Sequence, residues 1–196
     1  MSSLQLSVTR LARVNLGLCL AYAVFIAASD AWALVTRQLT SQRWLMFGVL
    51  LIVTALVWAL SRNRAASPNY YRVLIFALIS AEIALATFTI YTERGMASRG
   101  VALYAIPIVA SAVMLSRRFV FAVATLCTAA YVMAATRYFY VYFNEGYKIE
   151  LYSTLFIYSA SFFVLAWILA IVLDSTNGRL AGKSVAMSAG RSAKKG

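Results

Sequence analysis

Six long runs of apolar residues, at positions 14–35, 44–60, 73–91, 101–115, 119–136 and 151–173, restrict this chain more than any other feature. A helix rises about 1.5 Å per residue, so roughly 20 residues cross the hydrocarbon core of a bilayer. The first, third, fifth and sixth runs meet that length. The second is a little short, and the fourth needs residues from its flanks. The runs are apolar on every face, which argues against a membrane barrel of alternating strands. Composition agrees: 63% of residues are hydrophobic and 12% are charged, whereas a soluble domain carries about a quarter charged residues. The expectation is an all-α, polytopic integral membrane protein. Six transmembrane helices form a bundle over 1–174, or five if the fourth run is re-entrant, followed by a flexible basic tail over 175–196.

The first run follows Arg10 and Arg13 and ends near Ala31-Trp32-Ala33, a pattern that mimics a signal-peptide cleavage site. The run is long for such a segment, so it reads as a retained helix. Lysine and arginine favour the cytoplasmic side. With six spans both termini share a side, and that side holds twelve of the 18 basic residues. This predicts N-in and C-in, with the tail carrying much of the argument, and a multi-pass location in the cell inner membrane. The net charge of +12 is spread over short loops and includes no basic domain to receive a duplex, so nucleic acid is not an expected partner. The tail is suited to weak attraction by anionic lipid headgroups.

Cys19 and Cys127 fall inside apolar runs at different depths and read as unpaired packing residues. Small residues recur four apart, as in Gly17 and Ala21 or Ala166 and Ala170, a spacing that lets helix backbones approach closely. Pro107, inside the fourth run, is expected to kink its helix and free a carbonyl near Leu103 or Tyr104. It is also the candidate hinge.

Glu82 stands in the third run with no basic residue within nine positions on either side. An ionised, unpaired carboxylate near the bilayer midplane costs several kcal/mol, so the side chain must face the bundle and find partners or stay protonated. Ile75, Leu78, Ile79, Leu85, Ala86, Thr89 and Glu93 share its helical face. That face becomes more polar toward Thr89 and is aliphatic the other way, which describes a crevice open to the outer side. Two readings stand. Either Glu82 is neutral and ties helices together through hydroxyls, or it lines a ligand or ion site. Asp30 is a second intramembrane acid, with Arg37 two turns further along its face. Thr154, Tyr158 and Ser161 form a hydroxyl stripe that either acid could reach. The ligand or ion-site candidates are therefore Glu82, Asp30, Thr89, Tyr158 and Ser161. The segment 137–150, with Tyr138, Tyr140, Tyr142 and Tyr147, reads as an interfacial loop capping the bundle, or as a lid over an apolar pocket.

The chain has no histidine, which removes His-ligated zinc, bis-His haem and histidine general bases. No Gly-rich phosphate loop, zinc-protease motif or nucleophile elbow occurs, and no lysine lies in an apolar run to carry a retinal Schiff base. Neither enzyme chemistry nor a metal or cofactor is expected.

Residues 101–131 run "VALYAIPIVASAVMLSRRFVFAVATLCTAAY". An aromatic start, a Pro-Ile inside a helix, the small residues 110–112 and the basic turn at Arg117 and Arg118 resemble multi-helix membrane input regions of bacterial sensor histidine kinases. The kinase core of that family is absent from this sequence, so the resemblance implies an input module without an output. The resulting expectation is a non-enzymatic sensory or accessory subunit of a larger bacterial membrane assembly, paired with other membrane subunits or with itself. A small transporter or channel subunit with Glu82 in its pathway is the alternative.

Overall fold

A computed structural model describes residues 3–32, 36–62, 67–93, 98–142 and 148–192. Among these, all regular structure is helical: α1 Ser3–Ala31, α2 Arg37–Leu60, α3 Pro68–Glu93, a 3-10 segment Arg99–Tyr104, α4 Ala105–Ser111, a second 3-10 turn Ala112–Met114, α5 Arg117–Tyr142 and α6 Lys148–Ser192. Helices α1, α2, α3, α5 and α6 each contain a window long and apolar enough to cross a membrane; Gly100–Met114 is apolar but shorter. The short second run gains its length at its start, because Arg37–Arg43 are helical and belong to α2.

The centre of the bundle is α3. Its apolar window is 56% buried, against 39% or less for the others, and it packs against α1, α2, α4 and α5. This placement explains the aliphatic face read from the sequence: Ile75, Leu78, Ile79, Leu85 and Ala86 are all buried. The remaining packing separates into two groups. Helix α1 lies on α2, whereas α4, α5 and α6 pack on one another.

The fourth run is wound differently from an ordinary helix. At about 2.0 Å per residue in 3-10 turns and 1.5 Å in α-helix, Arg99–Met114 reaches roughly 28 Å, where uniform α-helix would reach roughly 24 Å. The tighter coil stretches a short segment toward the bilayer thickness. The Ser98 hydroxyl opens it by accepting the Gly100 N–H at 2.9 Å. Pro107 is the third residue of α4, which continues directly from the 3-10 segment, the Ala105 N–H donating back to the Ala102 carbonyl. The winding changes from 3-10 to α two residues upstream of the proline. The Cys127 thiol lies 4.0 Å from the Tyr104 carbonyl oxygen at that junction. The connection to α5 is as tight as the sequence suggests: Leu115 takes a left-handed conformation (φ 51°), and α5 starts two residues later.

Two expectations about segment ends meet a different backbone. Tyr138, Tyr140 and Tyr142 lie on the last turns of α5 instead of in a loop. The aromatic residues prolong the helix because its hydrogen bonds are closed within the segment. Tyr147 lies outside the described residues. Helix α6 does not stop at 173 but continues to Ser192. An ion pair between Arg117 at the start of α5 and Asp174 on α6 ties the two helices where the apolar run ends.

A cleft between α1 and α4 holding two unpartnered polar groups

Glu82 sits on the buried face of α3 at 4% exposure, and its Oε2 has no hydrogen-bond partner among the described residues. It lines a cavity of about 620 Å³ together with Asn15, Gly17 and Ala21 of α1 and Ala105 and Val109 of α4. The cavity exists because α1 and α4 do not pack closely on one another. Helix α3 forms its floor. At its rim Val14 and Val109 are 71% and 50% exposed, so the opening faces sideways, in the direction of lipid for a membrane-embedded bundle.

The small residues that promised close helix contact create this space instead. A Cβ built on Gly17 meets nothing within 4 Å, and Ala21 lines the same cavity. Ala166 and Ala170, by contrast, are buried in helix packing. Sequence spacing identifies small side chains but not whether another helix arrives to fill the gap.

Asn15 is the residue that the sequence reading missed. It is 2% exposed, and its amide nitrogen donates to Thr54 Oγ1 of α2 at 3.3 Å. Thr54 in turn donates its hydroxyl hydrogen to the Leu50 carbonyl at 2.7 Å. With that hydrogen committed, the Thr54 oxygen can only accept, so the amide nitrogen of Asn15 faces Thr54 and Oδ1 is the free end. Asn15 Oδ1 has no partner among the described residues. The available signal was the one that exposed Glu82, a lone polar side chain in an apolar run. Asn15 also shares a face with Cys19, Tyr22 and Ile26, all buried.

An unpaired buried acceptor costs roughly 1–3 kcal/mol, and the two residues that carry one here, Asn15 and Glu82, line the same cavity. Among the described residues no lysine or arginine lines it. A second, smaller cavity of about 270 Å³ adjoins along α1, sharing Leu18 and Ala21 and reaching Thr89 and Gly100. Glu82 thus lines the larger cavity and Thr89 its neighbour. The Thr89 hydroxyl itself is tied to Leu85 of its own helix at 2.9 Å.

The other candidates lie elsewhere. Asp30 is exposed on α1, and neither it nor Arg37 has an ion-pair or hydrogen-bond partner among the described residues. Tyr158 and Ser161 are on α6, whose main neighbours are α5 and α4. The Tyr158 ring packs on Tyr131 at 5.7 Å, and the Ser161 hydroxyl donates to Ile157 of its own helix. Neither lines the Glu82 cavity, because α4 and α5 occupy the ground between. Glu93, on the face shared with Glu82, ends α3. Among the described residues no three acids or cysteines come together in a metal-ligating group.

Models of known protein families, curated proteins and solved structures all show no match to this chain.

Proposed function

We propose that this chain is a non-enzymatic sensory or accessory module of a larger assembly in a bacterial inner membrane. In this reading six segments cross the bilayer and both ends are cytoplasmic. The observation that carries it is Glu82, whose Oε2 has no partner among the described residues and which lines a laterally open cleft whose wall, α4, also packs on α6. An occupant of the cleft thus bears on a helix that packs on α6, the longest of the described helices. The resemblance of residues 101–131 to kinase input regions and the excess of basic residues on one predicted side support the same reading. The continuation of α6 and the basic residues after Asp174 are the parts suited to meet partner subunits and anionic headgroups.

A transport pathway needs a succession of polar stations. Around Glu82 the cavity supplies Asn15 and otherwise apolar walls, which favours a binding site over a conduit. The test is flux. In liposomes carrying proton, sodium or potassium gradients, the intact chain and its Glu82→Gln variant should both match protein-free vesicles. A gradient-driven flux that disappears in Glu82→Gln would replace the sensory reading with the transporter reading.

A further inference from the structure

We propose that the cleft between α1 and α4 binds an uncharged, apolar-chained molecule with a hydroxyl head, taken up sideways from the bilayer and held by Asn15 and Glu82. This rests on the membrane-module reading and adds the chemical class of ligand.

The Thr54 hydroxyl, already donating to Leu50, sets the Asn15 amide so that Oδ1 points away from α2 as an acceptor without a donor. Glu82, which lines the same cavity, carries a second oxygen without a partner among the described residues. Both side chains are more than nine-tenths buried, so bulk water does not serve them. What Asn15 Oδ1 lacks among the described residues is a donor. A hydroxyl donates its one hydrogen to Asn15 Oδ1, and its oxygen then accepts from Glu82 in the protonated, uncharged form that an apolar site favours. A carboxylate ligand would bring acceptors to acceptors. A cation would have to shed its water before reaching a rim of valines.

The remaining walls are hydrocarbon, and about 620 Å³ lies within the range of small-molecule sites. The adjoining cavity, which shares Leu18 and Ala21, continues the apolar surface toward Gly100 and suits a chain.

The full-length chain in phosphatidylcholine nanodiscs is exposed to a long-chain alcohol bearing a photoreactive diazirine. Labelling should map to α1 and α4. Unlabelled alcohol should compete, whereas its methyl ether, lacking the donor, should compete about tenfold less well. Gly17→Leu fills space that is empty in the structure, and should abolish labelling while the variant stays folded by circular dichroism. Asn15→Leu should weaken labelling by about tenfold, and Glu82→Gln, whose amide N–H can donate to the hydroxyl as the protonated acid does, should retain it.

Equal competition by the ether would reduce the site to a greasy crevice and overturn the proposal. Preference for the primary amine of the same chain length would overturn it in favour of a cation site. Labelling that ignores Gly17→Leu would place the probe elsewhere and also overturn it. None of these results touches the module reading, which fails only if the flux measurement is positive.

Discussion

The hydroxyl of Thr54 does two jobs, donating to Leu50 in its own helix and accepting from Asn15 across the α1–α2 interface. Thr54→Val should therefore destabilise the bundle by about 1 kcal/mol, since interhelical hydrogen bonds in membranes are worth roughly 0.6 kcal/mol and seldom above 1.7. A double-mutant cycle with Asn15→Leu, read by reversible unfolding in mixed micelles, should return a coupling of about 0.6 kcal/mol. A coupling near zero would mean that the amide is not set by Thr54. At this scale Glu82 was legible because one carboxyl in an apolar run has few destinations. Asn15 was not, because its partner lies 39 residues away and only packing brings the two together. The hydroxyl stripe on α6 failed for the same reason: periodicity gives a face, not the neighbour that the face meets.

The two glycines whose surroundings differ most report on how elements fit. On Gly100 an added Cβ would stand 2.7 Å from Thr89 Cγ2 and 2.9 Å from Ser98 Oγ. Gly100→Ala should cost about 1–3 kcal/mol through overpacking where the 3-10 segment meets α3. Gly17→Ala meets open space and should stabilise α1 by about 0.5–1 kcal/mol from helix propensity. The same unfolding measurement checks both, and equal effects would contradict the packing described. Leu115 holds a left-handed backbone that costs a side-chain-bearing residue about 1 kcal/mol or more, so Leu115→Gly should raise stability by about that amount. The existence of the fourth element could be read from hydropathy, and so could the tight turn after it. Its mixed winding could not. Whether a short segment coils as 3-10 or α depends on the distance it must cover beside α3 and α5, and that distance is a property of the assembled bundle.

For the whole molecule, the apolar runs already implied a helical bundle in lipid, because hydropathy reports the surrounding medium directly. The order of packing, with α3 central and α1–α2 set apart from α4–α6, was beyond reach without contacts. Cys19 and Cys127 are buried and free, so the native chain should resist an impermeant maleimide in sealed vesicles. Against that silent background, cysteines placed at Gly95 and Ser116 should react from opposite faces of the membrane. Reaction from the same face would make Gly100–Met114 re-entrant and leave five crossings.

The gap beside Gly17 has a consequence for how this protein is handled. Among the described residues nothing fills the space beside Gly17, so the amphiphile that surrounds the molecule is placed to fill it. Thermal stability should then follow the acyl chains of the host more steeply than it would for a closed bundle. Lipid here is less a solvent than a component of the tertiary structure.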